Sequence, residues 1–530
     1  MIFQLTMSKS MQTTGPDMKR LRIKVFSFAE GSQVQRFLKQ LSRQYSVEPS
    51  GKSVERRTYY DTFDWRLHRK NMVFVARGGR LHLQRFNGRE VAAATGRKRS
   101  KYFWWDVDAK ELGDQLRDRI EMRALCPIIE LSTGCNRFRI MNRDRKTIAR
   151  LVLRCDQAVG NENKSDLPEL ITIQEIRGYE NEYQTIVQNC YDLNFGEVKK
   201  NKLIHHLLKN SVRIPRDYGV KFKVELDEEI SIGRAVARIC LHLIGDMEKN
   251  HTGVVNDIDS EFLHDFRIAV RRTRSLLSLL KNMLPAKACA YFQEEFRRLG
   301  SVTGPVRDID VYLLERNSYL NLLPSSLRDG MDTFFLQLEN KRVDELKTLQ
   351  SHLNSERYKT LIGDWRQYLT EPDSDLFASV RNARCRALAD KMIVKRFKTF
   401  IRDGNLITPS SGDEELHELR IKGKKFRYLL EFFKSFYDEE QMSLFLKQMK
   451  KLQDNLGTFN DLSVQQDMLG AELKSLRAKN LQTIRFAAAL GGLIAVLGDK
   501  HKLIRDEFEA TYSVFAKPEV HTILHSMVKG

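Results

Sequence analysis

The stretch "LHDFRIAVRRTRSLLSLL" at residues 263–280 is written a second time, as "LHELRIKGKKFRYLLEFF", starting at Leu416, 153 positions later. Leu263, His264, Arg267, Ile268, Arg274, Leu276 and Leu277 recur as Leu416, His417, Arg420, Ile421, Arg427, Leu429 and Leu430. Arg271 and Arg272 recur as Lys424 and Lys425, and Lys281 as Lys434. The offset persists downstream, where "RRLGSVTGPVRDIDV" faces "KKLQDNLGTFNDLSV" and pairs Leu299 with Leu452, Gly304 with Gly457 and Asp308 with Asp461. A constant offset over about 50 residues marks two copies of one structural unit. Beyond about Val224 the chain has helical periodicity throughout, with turns marked by "NMLPAK", "SVTGPVRD", "LLPSSLRDG", "EPDSD" and "ITPSSGDEE". The repeat divides this helical region, 224–530, into halves of about 224–375 and 376–520.

On a helix, positions 264, 267, 271 and 274 fall within an arc of about 80°, while Phe266, Thr273, Leu277 and Leu280 lie opposite. The first copy therefore carries one cationic stripe, and the other face packs into a bundle. His417, Arg420, Lys424 and Arg427 form the same stripe in the second copy. A solvated helix face usually mixes signs, with Glu and Lys four apart supporting each other. These stripes contain no carboxylate and carry like charges that repel, so they point to an anion. His264 and His417 stand near helix starts, where phosphate contact competes with a capping or packing role.

Charge elsewhere supports a polyanion partner. The net charge is +20. Residues 1–215 hold 40 Lys+Arg against 24 Asp+Glu, a net of +16, and the remaining residues supply +4. From Met18 to about Val198 the chain reads as short strands: "LRIKVFSF", "RRTYYDT", "MVFVAR", "GRLHLQRF", "YFWWDVD", "NRFRIM", "IARLVLRC" and "LITIQEI". Helical segments "GSQVQRFLKQLSRQY" and "NEYQTIVQNCYDL" follow the first and last of these. The expected organisation is α+β: a flexible stretch at 1–17, an antiparallel β domain of barrel type at 18–208, a linker at 209–223, and the helical domain. Seven singly scattered cysteines with no CxxC pair argue for reduced thiols and against a structural zinc site. "FAAALGGLIAVLG" is too short to span a bilayer, so a buried helix and no membrane partner are expected. The first residues lack the order of a secretory signal, and a cytoplasmic location is expected. No P-loop, dinucleotide fingerprint or Ser/His/Asp signature is evident.

The repeated segments "LHDFRIAVRRTRSLL" with "LGSVTGPVRDIDV", and "LHELRIKGKKFRYLLEFF" with "LQDNLGTFNDLSV", resemble the two halves of a CHAD domain, the conserved histidine α-helical domain. The likeness spans about 224–520. It implies two four-helix bundles related by a pseudo-twofold, with basic faces meeting in a groove or pore. It also implies binding of inorganic polyphosphate and association with polyphosphate granules. The implied contacts are His264, Arg267, Arg271, Arg274, His417, Arg420, Lys424 and Arg427, with Arg272, Lys425, Lys281 and Lys434 in second rank.

The first region resembles a CYTH domain, the triphosphate tunnel fold, through "RRTYYDTFDWRLHRKNMVFVAR", "RFRI" with "IARLVLRCD", and "EVKKNKLIHHLL". The family's acidic ExExK strand reads "RLRIK" here, so Arg20 and Arg22 stand where acids hold metal and only Lys24 remains. Its LRxR reads "FVAR", keeping Arg77, and its late acidic strand reads "ITIQEI", with Glu175. Metal-assisted hydrolysis needs carboxylates around a divalent ion. The resemblance with these departures implies a degenerate tunnel without metal or cofactor, in which Arg20, Arg22, Lys24, Arg77 and Lys202 meet anions. Arg85, Arg89 and "RKRSK" (97–101) line the tunnel or form a solvated loop. Two alternatives stay open: a metal-dependent triphosphatase, and a nucleic-acid binder suggested by the charge and by "KYFWWDVD". Against the second, the stripes lack outward aromatics apart from Tyr428. Asp308 and Asp310 are read as capping and pairing with Arg307 rather than as a metal pair.

Overall fold

The computed structural model describes residues 21–28, 31–159, 167–209, 213–219, 222–279, 281, 285–370, 384–477 and 480–529. Arg20, the stretch 1–17 and most of the junction between the repeat halves lie outside them. The chain divides between residues 219 and 220 into two compact units.

Unit 1 is built on β1 (Ile23–Phe28), β2 (Ser46–Thr62), β3 (Met72–Arg77), β4 (Arg80–Arg85), β5 (Glu90–Thr95), β6 (Leu125–Met141), β7 (Thr147–Ala158), β8 (Glu169–Glu175) and β9 (Gly196–Glu197). The strands form one antiparallel sheet in the order β5-β4-β3-β2-β6-β7-β8-β1-β9. Five helices accompany it: α1 (Gly31–Leu41), α2 (Arg66–Arg69), α3 (Lys110–Ile120), α4 (Glu180–Asp192) and α5 (Lys200–Lys209). Among the described residues no pairing joins β5 to β9, so the sheet is open and the expected barrel does not close. Three clusters cover it, one of them formed by Ile204 and Leu207 of α5 on Tyr59, Val73 and Val75. Phe37 of α1 and Tyr183 and Ile186 of α4 pack on Phe26, Ile171 and Ile173, and Leu112 and Leu116 of α3 pack on Tyr60 and Phe74.

One strand expectation for this unit needs correction, and one strand lies outside the expected set. "YFWWDVD" is not a strand, because Asp106 turns back to accept a hydrogen bond from the Phe103 N–H at 2.8 Å and closes a single 3-10 turn over Trp104–Asp106. The alanine-rich "EVAAAT" is a strand, recruited by its partner β4 rather than by intrinsic preference.

Unit 2 is helical. Its elements are α6 (Ile232–Val255), α7 (Ser260–Leu279), α8 (Ala286–Val302), α9 (Gly304–Leu314), α10 (Arg316–Leu322), α11 (Ser325–Arg328), α12 (Asp332–Asn354) and α13 (Glu356–Thr370) in the first half. The second half has α14 (Cys385–Asn405), α15 (Asp413–Phe433), α16 (Glu439–Ser475), α17 (Leu481–Phe515) and α18 (Pro518–Lys529). The starts of α6 and α14, and of α7 and α15, differ by the repeat offset of 153. The copies differ at α8–α9, whose counterpart α16 is unbroken. Pro305 sits at the start of α9 and has no N–H to continue the ladder, whereas Thr458 takes its place in α16.

Equivalent elements meet each other across the unit. α6 packs on α14 and α7 on α15. Ser231 and Arg384, themselves 153 apart, form an antiparallel bridge, and the Cys385 N–H donates to the Ile230 carbonyl at 3.1 Å. An element that touches its own counterpart lies beside a twofold axis, so these contacts locate the pseudo-twofold between the halves. The halves are not independent bundles. Ile309, Tyr312 and Phe334 from the first share a core with Leu462, Phe486, Ala489, Leu490 and Leu493 from the second. The apolar run of α17 thus has one side in this shared core, although its mean hydropathy reaches 1.6 over a membrane-length stretch.

Gly330 lies at that seam, where an added Cβ would stand 2.5 Å from the Arg485 carbonyl oxygen and 2.9 Å from the Ala489 Cβ. Because the obstruction is backbone, it cannot rotate away. Gly330→Val is expected to destabilise unit 2 by about 2 kcal/mol or more, read as a lower denaturation midpoint by circular dichroism.

Candidate polyanion-binding site

Helix starts set the register of both stripes. Asp259 accepts from the Glu261 and Phe262 N–H groups at 3.0 and 3.2 Å, fixing the first turn of α7. In α15 the Glu415 carboxylate accepts from the Gly412 N–H at 2.7 Å, and Asp413, Glu414 and Glu415 occupy the positive end of the helix dipole. Three acids are thereby gathered in the first turn, and the stripe's arginines and lysine follow from Arg420 onward. Phe266, Thr273 and Leu277 are buried as expected, and the Thr273 hydroxyl is satisfied by the Ala269 carbonyl at 3.0 Å. Gly423 lets α15 approach α14, where an added Cβ would come 3.1 Å from Phe400.

The two stripes come together. Arg271 of α7 lies close enough to Arg420 and Lys424 of α15 to disfavour their charged forms. The helices are tied by Glu431, which accepts from Arg272 at 2.7 Å and from Arg427 at 2.7 Å. Arg272 also lies over Phe222 and Tyr428, at 5.0 and 5.9 Å from their ring centres. It is therefore a brace between the halves rather than a phosphate contact, and Tyr428 is its packing surface rather than an outward platform.

The remaining cations have unequal surroundings. Arg267 donates to the Gly300 carbonyl at 3.2 Å and to the Thr303 hydroxyl at 3.1 Å, and burial lowers its pKa. Arg274 lies over Gly300, its Nη1 2.8 Å from where a Cβ would stand, and Arg427 donates to Gln453, the residue equivalent to Gly300, at 3.2 Å. Arg420 meets Asp461 at 3.3 Å. His417 Nδ1 lies 2.5 Å from the Asn460 side-chain oxygen, so this histidine is oriented by α16. His264 is half-buried in the matching place, where Arg307 stands in sequence for Asn460. The Nε atoms of Arg271, Arg272 and Arg420 are buried without a hydrogen-bond acceptor, as is the Arg307 Nη1. Lys424 has no hydrogen bond or ion pair among the described residues. Burial, then Arg420 and Arg271, push its pKa down to about 8. Lys425 and Lys434 are half-buried without an ion pair among the described residues, and Lys281 is exposed in the turn after α7.

Carboxylates are closer to the stripes than the sequence suggests. Glu431, Asp461 and Asp308 all face stripe cations, and burial raises the pKa of Asp308. The conserved offset between Asp308 and Asp461 was the available signal; Glu431 has Ser278 as its counterpart and gave none. Asp308 does not cap α9, which begins at Gly304 after an uncapped Thr303. Asp310 pairs with Arg342 at 2.6 Å, and Arg307 instead meets Glu261 at 3.7 Å. The two aspartates thus face different partners.

In unit 1 the residues implied by the tunnel resemblance are spread out. The Glu175 carboxylate accepts from the Arg22 backbone N–H at 2.7 Å, and Lys24 donates to Glu197 at 3.0 Å and Tyr191 at 2.7 Å. These acids neutralise the cations expected to meet an anion. Arg77 is on β3, with β2, β6, β7 and β8 between it and β1 in the sheet order. Lys202 is exposed on α5, and Arg85 and Arg89 are exposed at the end of β4. The 97–101 loop is anchored by Lys98 on Glu130 at 2.7 Å and Arg99 on Asp106 at 3.5 Å.

The family model described as CHAD domain matches residues 238–470. That stretch is a CHAD domain. It contains both stripes, α14 and most of α6 and α16. Two of the solved structures similar to this chain are the following. One is the crystal structure of the CHAD domain from the plant Ricinus communis, with 22% identity, 58% of this chain and 97% of that chain covered, and a TM-score of 0.46. The other is PptA from Streptomyces chartreusis, with 14% identity, 54% and 100% covered, and a TM-score of 0.42. Comparison with curated proteins gave no match.

Two outcomes follow from the CHAD domain geometry. Glu431→Gln removes the carboxylate between Arg272 and Arg427, leaving both charges in a half-buried setting; a loss of about 2–4 kcal/mol is expected from denaturant titration. Lys424 gives a pH signature. Its lowered pKa means the unfolded chain binds that proton more tightly between pH 8 and its ordinary 10.5, so the charged amine destabilises the fold at neutral pH. Lys424→Met is expected to raise the melting temperature at pH 7 by about 2 °C while weakening anion binding.

Proposed function

We propose that the CHAD domain binds inorganic polyphosphate without catalysis, laying the chain along the seam between α7 and α15. The observation that carries this reading is the set of buried, acceptor-less guanidinium N–H groups on Arg271 and Arg420 beside the partnerless amine of Lys424. Burying such donors costs free energy unless an acceptor arrives. Phosphate oxygens are acceptors of the right charge and offer no base to stack. The core ligand set is Arg271, Arg420 and Lys424, with His264, Arg267, Arg274 and His417 at its margins. Unit 1 is read as a non-catalytic companion, since Arg22 and Lys24 are matched by Glu175 and Glu197.

Long-chain polyphosphate, single-stranded DNA, duplex DNA and tripolyphosphate would be compared by fluorescence anisotropy across a salt series, with and without Mg²⁺. Polyphosphate is expected to bind without metal and to weaken steeply with salt. Equal competition by duplex DNA at matched phosphate concentration would overturn the reading. The double variants Arg271→Ala with Arg274→Ala, and Arg420→Ala with Lys424→Ala, should each weaken binding at least about tenfold, because each removes two charge-assisted contacts from one wall. If one abolishes binding and the other leaves it unchanged, the two walls do not share a ligand. Affinity should also fall at least about threefold between pH 7 and pH 9 as Lys424 loses its proton, and Lys424→Arg should remove that dependence.

A further inference from the structure

We propose that Lys424 is an acylation site, modified by acyl phosphates whose phosphate is held by the surrounding cations while the acyl group passes to Nζ. The inference rests on the polyanion reading of the seam and extends it to a small reactive anion. Lys424 stands on α15 one turn after Arg420 and one turn before Arg427, with Arg271 across from it on α7. Asp461 is the acid that faces it, and that carboxylate is already engaged by Arg420 at 3.3 Å and by Asn460 at 3.4 Å. The amine is half-buried and makes no ion pair among the described residues.

Lys422 on the same helix and Lys359 elsewhere in the unit are placed differently. Lys422 is tied to Asp403 at 3.0 Å and to Glu418 at 3.4 Å, which raises its pKa. Lys359 is tied to Glu356 at 2.6 Å. A lysine amine attacks only when it has lost its proton, and ordinary lysines hold theirs throughout the neutral range. Lys424, with a pKa near 8, presents a substantial free-amine fraction there. The guanidinium groups of Arg271 and Arg420 supply the other half of the reaction, because they bind a phosphate dianion beside the amine and stabilise it as a leaving group.

The step balances without a further reagent. The Nζ lone pair forms a bond to the acyl carbon, the bond from that carbon to the phosphate oxygen breaks, and inorganic phosphate departs with the electron pair. The nitrogen sheds one proton to phosphate or solvent. The product is a neutral amide, which removes one cation from the seam and lowers its affinity for polyanions. A metabolically labile anion would thereby set how much polyphosphate the domain holds.

The full chain would be treated with acetyl phosphate at pH 7.5 and, in parallel, with uncharged acetic anhydride, and modification followed by peptide mass spectrometry. With acetyl phosphate, Lys424 should acylate at least about fivefold faster than the exposed Lys447, because Arg271 and Arg420 hold the phosphate beside it. Excess tripolyphosphate should suppress that reaction at Lys424 and leave Lys447 unchanged. Arg271→Gln, its fold checked by circular dichroism, should slow Lys424 selectively. Preference for Lys424 with acetic anhydride but not with acetyl phosphate would overturn the proposal and count against phosphate binding at the seam. Equal rates at Lys424 and Lys447 with both reagents, in protein that still binds polyphosphate, would overturn the acylation site and leave the polyanion reading standing.

Discussion

The helical unit depends on bringing two like-charged helices side by side. α7 and α15 pack directly, and Arg271, Arg272, Arg420, Lys424 and Arg427 all crowd their seam. Repulsion among these groups opposes the contact. Glu431 resolves part of it by accepting from Arg272 on one helix and Arg427 on the other. Aromatic and aliphatic packing supplies the rest, through Phe222 beneath Arg272 and through the shared core of Phe334, Phe486 and Leu490. Charges that are not neutralised by Glu431 or Asp461 are left concentrated along one line. Under the proposed function, stability and ligand affinity are therefore set against each other at Lys424, whose charge is disfavoured by its burial and its cationic neighbours.

Much of this unit was legible in the sequence. The offset of 153 gave the equivalence of α7 and α15, and apolar periodicity placed Phe266, Thr273 and Leu277 inside. Which cations stay available was not legible. Arg427 lies in the same stripe as Arg420, and Arg272 stands one position beyond Arg271, yet a single carboxylate engages both. Helical spacing reports which face a residue shares; it does not report what the next helix presents to that face. The break between α8 and α9 was visible as "TGPV", but the uninterrupted α16 required Thr458 to be recognised as a residue that permits a helix to run on.

Unit 1 was legible strand by strand and less so as a whole. "MVFVAR" is β3 residue for residue, because apolar and β-branched side chains are buried there on both faces. Sheet closure depends on curvature accumulated over many pairings, which no short motif encodes. That Arg20 and Arg22 stand where a CYTH-like strand would carry acids was plain in "RLRIK", where Arg22 is followed by Lys24. That Glu175 and Glu197 would answer Arg22 and Lys24 from β8 and β9 was not, since those contacts join residues more than 150 positions apart.

The counterpart of Glu431 in the first half is Ser278. A dimer of two identical chains would carry that carboxylate twice or not at all, because every substitution in one protomer is copied into the other. Joining both halves in one polypeptide lifts that restriction. A single acid can then neutralise one pair of arginines while the rest of the seam keeps its charge, an asymmetry that a symmetric dimer of one repeat unit could not carry.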